Sequence, residues 1–172
     1  MTTIDTRDLE SARLFSDRMS IIDVITRYAV GIDLRRWEDF GTCFTDEFDA
    51  DFLVTNGWVR FQRDEFVALC QGIFAHYDAT QHISANHQVT ISGDVASCVA
   101  TLNATHFLAN ADGGDTQQQV GYYEFHLVRG DDWRINRVRQ IVSWQTGNQD
   151  LFDRTGADVN DTGRLSRIEQ PS

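Results

Sequence analysis

Apolar side chains recur every three or four residues in two stretches of the N-terminal half, which is the spacing of an amphipathic helix. The first stretch, residues 13–30, has its apolar positions at Phe15, Met19, Ile22, Val24, Ile25 and Tyr28. Gly31 follows where a left-handed C-terminal cap is expected. The sequence RRWEDFGTCF then predicts a short second helix, and residues 63–77 predict a third, amphipathic helix.

Alternation of apolar and polar residues predicts strands in the rest of the chain. Residues 47–61 hold two short runs around Asn56-Gly57, the residue pair most typical of a tight hairpin turn. Four longer runs follow, separated by turns that contain Gly and Asp, at residues 80–92, 95–109, 118–129 and 132–144. Helices followed by a long antiparallel meander predict an α+β domain in which the helices cover one face of a curved sheet.

A chain of 172 residues is expected to form one domain with a single core. The patterned region, residues 12–145, is interpreted as this domain. Residues 1–11 are predicted to be a flexible N-terminus. Residues 146–172 are polar and rich in Gly and Asp, and they predict a partly ordered tail.

Composition and charge exclude several partners. Fifteen Lys and Arg against 26 Asp and Glu give a formal net charge of -11, which opposes binding to nucleic acid or to an anionic membrane. No apolar run reaches the roughly 20 residues of a membrane span, and the N-terminus lacks the pattern of a secretion signal, so we expect a cytoplasmic protein. Cys43, Cys70 and Cys98 have no paired spacing and are expected to be buried thiols.

Asp33 stands two residues after Gly31, at the predicted corner between the first two helices. A carboxylate that is near the negative end of a helix dipole and shielded from water needs a hydrogen-bond donor to stay ionised. An imidazole is one such donor. The alternative is that Asp33 caps the second helix through its side chain, and the local sequence leaves both interpretations open.

The stretch TQHISANH provides two histidines on one predicted strand. The two-residue period places His82, with Ser84 and Asn86, on one face and His87 on the other. His106 lies in the next predicted strand, among apolar neighbours that are expected to point inward.

Neither a metal nor an organic cofactor is expected. The sequence has no His-x-x-x-His pattern on a helix and no paired-ligand spacing. It also lacks a Gly-rich phosphate loop, a GxSxG elbow and a GxGxxG turn.

Two fragments, RYAVGIDLRRWEDFGTCFTDEFDADF and GDDWRINRVRQIVSW, carry a resemblance to the SnoaL-like branch of the nuclear-transport-factor-2-like superfamily. The resemblance covers roughly residues 12–145. It implies a cone-shaped, barrel-like α+β fold with N-terminal helices packed on a highly curved, mostly antiparallel sheet. The superfamily includes dehydratases, dehydrochlorinases, isomerases, cyclases and non-catalytic subunits, so its fold does not by itself define an activity.

Scytalone dehydratase and bile-acid 7α-dehydratase, which belong to this branch, pair an Asp at the end of the first helix with a His about fifty residues later. Asp33 and His82 are 49 residues apart. The resemblance implies an elimination in which Asp33 orients His82 and His82 removes a proton from carbon. Tyr28 matches a tyrosine of bile-acid 7α-dehydratase, and His106 resembles a second histidine of scytalone dehydratase. Both are implied to donate hydrogen bonds to a leaving hydroxyl or an enolate oxygen.

The other predicted site residues bind the substrate, and they are Phe52, Trp58, Phe66, Tyr123, Asn86 and Arg139. Arg139, or Arg137 beside it, would match an Arg near the last strand of hexachlorocyclohexane dehydrochlorinase. An acidic surface around an aromatic cavity suggests a small hydrophobic hydroxylated substrate, such as a steroid, terpenoid or polyketide. Members of this branch commonly form dimers or trimers through the outer sheet face, and RVRQIVSW suits such a homo-oligomer interface.

Two alternatives to a lyase remain open. An isomerase or a polyketide-type cyclase would use the same proton abstraction and then return the proton. A non-catalytic ligand-binding domain, like the small subunit of ring-hydroxylating oxygenases, would have its cavity filled by side chains and Asp33 turned to backbone donors.

Overall fold

The computed structural model describes residues 5–55 and 57–151 and the backbone of residues 152–153 and 166–167. The described helices are α1 (Thr6–Asp33), α2 (Trp37–Gly41), α3 (Arg63–Phe74) and α4 (Asp150–Asp153). The described strands are β1 (Phe44–Asp51), β2 (Val59–Gln62), β3 (Ala79–Ser92), β4 (Val95–Phe107), β5 (Thr116–Arg129), β6 (Trp133–Gly147) and β7 (Ser166–Arg167).

The strands form one sheet in the order β3-β4-β5-β6-β1-β2-β7. Strands β3 to β6 are the predicted antiparallel meander, and β1 pairs with β6 in parallel. Irregular pairing interrupts the β3-β4 ladder after Ala85 and the β5-β6 ladder after Val120 and His126, and such bulges bend and twist long strands. The predicted α+β class, with N-terminal helices packed on a curved and mostly antiparallel sheet, is confirmed.

Helix α1 begins at Thr6, seven residues before the predicted start, so most of the predicted flexible N-terminus is helical. The side chain of Asp5 caps it by accepting a hydrogen bond from the backbone N–H of Arg7 at 3.1 Å. Its apolar face meets the core only from Ile21 onward, whereas Phe15 is 67% exposed.

Gly31 is not the predicted left-handed cap, because α1 continues through it to Asp33. A Cβ atom at Gly31 would lie 2.9 Å from Cβ of Phe40, so the residue is small to let α2 approach α1. The left-handed residue of this corner is Arg35, with φ of 57°. Its guanidinium donates hydrogen bonds to the carbonyl oxygens of Ile32 at 2.6 Å and Phe74 at 3.1 Å, which holds the corner.

Strands β1 and β2 pair antiparallel from Glu47↔Gln62 to Ala50↔Val59, as the hairpin pattern predicts. The connection is longer than the predicted two-residue turn, because a 3₁₀ turn over Leu53–Thr55 precedes Gly57. The buried Thr55 hydroxyl donates to a carbonyl oxygen and accepts from the Phe52 N–H at 2.9 Å, which satisfies this segment internally. Asn56 lies outside the described residues.

The core lies between the sheet and the three N-terminal helices, and aromatic rings fill its centre. Phe66 of α3 is the hub, with ring centroids of five other phenylalanines within 6 Å. Cys43, Cys70 and Cys98 are free and buried, and burial raises the pKa of the Cys43 thiol to about 12. No helix among the described residues is long and apolar enough to cross a membrane.

The first part of the predicted tail packs on the domain. Strand β6 extends to Gly147, and Leu151 of α4 is 2% exposed, its carbonyl oxygen accepting a hydrogen bond from the Tyr77 hydroxyl at 3.0 Å. The backbone of β7 pairs with β2. The other tail residues, 154–165 and 168–172, lie outside the described part of the chain.

Candidate active site

Asp33 and His82 meet directly, although 49 residues separate them. Asp33 is the last residue of α1, and His82 lies on β3, the edge strand against which α1 packs. Nδ1 of His82 lies 2.7 Å from Oδ1 of Asp33, and the backbone N–H of His82 donates to Oδ2 at 2.7 Å. The alternative in which Asp33 caps α2 is wrong, since that helix begins after Arg36 without a side-chain cap.

A third donor to Asp33 comes from Thr80, two residues before His82 on the same strand and therefore on the same face. Its hydroxyl donates to Oδ1 at 3.0 Å. Nη1 of Arg35 donates to that hydroxyl, also at 3.0 Å, so the Thr80 proton is directed at Asp33. Three donors and a nearby guanidinium thus hold the carboxylate in one orientation.

These contacts determine the charge of Asp33. Burial raises the pKa of the carboxyl, but the hydrogen bonds and charge of His82 and the Thr80 hydrogen bond lower it by more. The net pKa lies below the ordinary value, so Asp33 is ionised at neutral pH. An ionised Asp33 favours the tautomer of the neutral His82 ring that donates Nδ1–H, and in that tautomer Nε2 carries the lone pair.

Replacing Thr80 with Val is expected to raise the pKa of Asp33, because a donor that favours the carboxylate is lost while the β-branched shape is kept. Carbon-detected NMR titration of the Asp33 side-chain carboxyl measures this change. Thr90→Val, at an exposed position on the same strand, is the matched control and should leave that titration unchanged. An unchanged Asp33 pKa in Thr80→Val would show that the hydroxyl does not support the carboxylate.

His82 opens into a cavity between α1, α3 and the inner face of the sheet. The cavity, counted together with the open solvent at its mouth, has a volume of about 620 Å³. Its apolar wall consists of Ile32, Phe52, Val54, Phe61, Phe66, Leu69, Cys70, Ile73 and Phe74. Its polar groups are Tyr28, Thr55, His82, His106, Gln119, Tyr123 and Gln140. The site is therefore an apolar pocket with a few polar groups, the usual composition of a small-molecule site.

His106 also lines the cavity, but its hydrogen bonding differs from the expected role. Gln117 donates through Nε2 to Gln145 at 3.1 Å, so its Oε1 faces Nδ1 of His106 at 2.8 Å and accepts the ring proton. Burial, and next the nearby His82, lower the pKa of His106 to about 4. A neutral ring whose one N–H is engaged by Gln117 does not donate to a leaving hydroxyl.

Acid should destabilise the protein in a way that depends on His106. The unfolded imidazole takes up a proton near pH 6.5 and the folded one only near pH 4, so stability is lost as pH falls through that window. The expected contribution is about 3 kcal/mol. In His106→Gln, the unfolding free energy measured by urea titration should fall by correspondingly less between pH 7 and pH 4. The exposed control His76→Gln should behave like the wild type.

Two tyrosine hydroxyls face each other in the cavity. Tyr28 interacts with Tyr123, and Gln140 also reaches the Tyr123 hydroxyl. Burial raises the pKa of Tyr28 well above its ordinary value and that of Tyr123 to about 12, so both remain protonated at neutral pH. They can act as neutral hydrogen-bond donors and not as bases.

Three predicted substrate-binding residues lie outside the cavity lining. Trp58 is covered by the guanidinium of Arg137 at 4.0 Å from its ring centroid. Arg139 pairs with Asp51 at 3.2 Å. Asn86 has φ of 54° in the bulge that interrupts β3, which breaks the strand period and turns it away from the face of His82. Phe52, Phe66 and Tyr123 do line the cavity.

The sequence did not point to Thr80, Gln119 or Gln140 as site residues. Thr80 carries a detectable signal, since it shares the strand face of His82. The two glutamines do not, because amides are frequent on strands and give no spacing that indicates chemistry. The described residues contain no group of three or more His, Cys, Asp or Glu side chains arranged to hold a metal ion.

Comparison with known proteins agrees with this fold. The chain belongs to the SnoaL-like domain family, which matches residues 13–139. An uncharacterised protein of Mycobacterium tuberculosis is 28% identical over 150 residues, covering 84% of this chain and 98% of that protein. A protein of Kribbella flavida of known crystal structure is 31% identical, covers 81% of this chain and 99% of its own, and superposes with a TM-score of 0.77.

More distant structures share the fold. A protein of Novosphingobium aromaticivorans, provisionally named a scytalone dehydratase, is 17% identical with a TM-score of 0.71, covering 81% of this chain and 92% of its own. The hexachlorocyclohexane dehydrochlorinase LinA-type3 from Novosphingobium barchaimii is 16% identical with a TM-score of 0.68, covering 81% and 94%. The fold therefore occurs in proteins named for elimination reactions.

Proposed function

We propose that this protein is a cofactor-independent lyase that eliminates water from a small, neutral, hydrophobic substrate. One observation carries the proposal: the Asp33 carboxylate holds Nδ1 of His82 at 2.7 Å, and the same imidazole lines an apolar cavity. A base that is oriented by a partly buried carboxylate and opens into a cavity is suited to removing a proton from carbon.

In the proposed reaction, Nε2 of His82 takes a proton from the carbon next to a carbonyl group. The electrons of the broken C–H bond form a carbon–carbon double bond as the hydroxyl on the neighbouring carbon departs. The imidazolium, stabilised by Asp33, returns the proton to that hydroxyl, which leaves as water. His82 is then neutral again, so the cycle needs no added oxidant or reductant.

The lining supports a neutral substrate. Among the described residues that line the cavity, none is Lys, Arg, Asp or Glu. A charged ligand would lose its hydration there without gaining a partner of opposite charge. The tyrosine hydroxyls of Tyr28 and Tyr123 are protonated and suited to binding the departing hydroxyl.

The test is to incubate the protein with cyclic β-hydroxy ketones of one to three rings in D₂O and to follow them by mass spectrometry. Elimination gives a product lighter by one water. The alternative isomerase or cyclase reaction gives a product of unchanged composition, apart from deuterium at the carbon that was deprotonated. If neither change occurs in any member of the set, and no deuterium enters, the protein is a binding domain and the proposal fails.

A further inference from the structure

We propose that Gln119 donates a side-chain N–H to the carbonyl oxygen of the substrate, which makes this site selective for ketones over hydrocarbons of the same shape. This inference rests on the proposed function, because it uses the same cavity and the same substrate. It adds the group that recognises the carbonyl and stabilises charge on its oxygen.

The orientation of the Gln119 amide follows from the backbone. The N–H of Leu53 donates to Oε1 of Gln140 at 3.1 Å, so the oxygen of Gln140 faces Leu53 and its Nε2 faces away. That Nε2 donates to Oε1 of Gln119 at 3.0 Å. The oxygen of Gln119 is therefore occupied, and its NH₂ group is the end that remains for the cavity.

This NH₂ group is buried and unsatisfied by the protein. Gln119 is 1% exposed and lines the cavity. Its Nε2 has no hydrogen-bond partner among the described residues. An unpaired buried donor destabilises a protein because it loses its hydrogen bonds to water, so such groups are rare unless they serve a ligand. An acceptor on the ligand removes this penalty.

Strand register places the donor opposite the base. His82 on β3 pairs with Ala104 on β4, and Ala104 pairs with Gln119 on β5. Residues paired across strands point to the same face of the sheet. The side chains of His82 and Gln119 therefore lie on one face, with the methyl group of Ala104 between them. Two strand spacings separate their backbones by about 10 Å. A small ring that fits between the two side chains can present a C–H to His82 and its carbonyl oxygen to Gln119.

The placement has a chemical consequence. Removing a proton next to a carbonyl shifts negative charge onto the carbonyl oxygen. A donor already aimed at that oxygen stabilises the charge without rearrangement, in the manner of an oxyanion hole. Because Gln119 is neutral, it can do so without attracting an anionic ligand.

The experiment compares two probes of nearly identical shape, cyclohexanone and methylenecyclohexane. Their affinities are measured by NMR titration of ¹⁵N-labelled protein, with the side-chain Nε2 resonance of Gln119 as the direct reporter. Cyclohexanone is expected to bind about fivefold more tightly and to shift that resonance, whereas methylenecyclohexane leaves it in place. In Gln119→Leu the affinity ratio should fall to about one.

A second variant tests the orientation of the amide. Gln140→Leu removes the donor that holds Oε1 of Gln119, so it should lower the preference for the ketone although the Gln119 NH₂ group is still present. His82→Ala is the control that should retain the preference, because binding does not need the base, which separates this inference from the proposed lyase activity. Equal affinities in the wild type, no binding of cyclohexanone, or a Gln119→Leu variant that keeps the preference would overturn the assignment.

Discussion

Replacing His82 with Ala is expected to slow elimination by about 10²- to 10⁴-fold, the range over which positioned general bases accelerate reactions. The imidazole is the group that reaches both the Asp33 carboxylate and the cavity, so its loss leaves proton removal to water. The barrier would rise by about 3 to 5 kcal/mol. Single-turnover kinetics on a β-hydroxy ketone identified in the mass-spectrometric screen measures the chemical step directly.

The matched control for this variant is His76→Ala, since His76 is exposed and lies just after α3. It should leave the rate unchanged. Asp33→Asn should lower the rate by altering the tautomer preference of His82, while cyclohexanone still binds. A His82→Ala variant that keeps more than a tenth of the wild-type rate would refute the assignment of His82 as the base.

The long strands were predictable because their pattern is long. Runs predicted at 80–92 and 95–109 correspond to β3 and β4 to within two residues at each end. Each spans enough alternating positions for the two-residue period to exceed local noise, and Gly93 at φ of 61° marks the turn between them. One shorter feature was predicted wrongly. The Asn56-Gly57 pair predicted a tight turn from the local sequence alone. The chain instead forms a 3₁₀ turn over Leu53–Thr55, which hydrogen bonds of the Thr55 hydroxyl stabilise.

The corner at the end of α1 shows where sequence reasoning about the site stops. The resemblance to the SnoaL-like branch suggested the pairing of Asp33 with His82, whereas periodicity indicated only the helix end and the strand face on which the two residues lie. The residues that hold Asp33 in place could not be identified from the sequence. Their arrangement depends on Arg35 in the left-handed conformation, and two of the hydrogen bonds that hold Arg35 go to Thr80 and Phe74, which are distant along the chain.

Gln119 was missed for a related reason. Its function depends on which end of an amide faces the cavity, and that follows from the N–H of Leu53 through Gln140, 87 residues away from Leu53. Asn86 was misplaced because a single bulge reverses the side-chain alternation. Periodicity identifies faces, but polar networks that cross several strands become visible only with coordinates.

Phe66→Ala is expected to lower the free energy of unfolding by about 3–5 kcal/mol, the range for removing a buried Phe. Phe66 is 4% exposed, and its ring centroid lies between 5.0 and 5.8 Å from those of five phenylalanines. They belong to α2, β1, the segment after β1, and β2. The lost ring therefore leaves a gap where several elements meet, and collapse at any one of them cannot fill it.

Phe15→Ala is the matched control, because it makes the same chemical change at a position that is 67% exposed. It should change the free energy of unfolding by less than about 0.5 kcal/mol. Urea titration measures both variants, and equal slopes of free energy against urea would show that the unfolded states are comparable. Phe66 also lines the cavity, so its replacement by Ala would enlarge the cavity and destabilise the core at the same time. If the free energy of unfolding of Phe66→Ala fell by less than about 1 kcal/mol, the aromatic cluster would have closed over the gap. In that case core packing would not determine the position of the cavity wall.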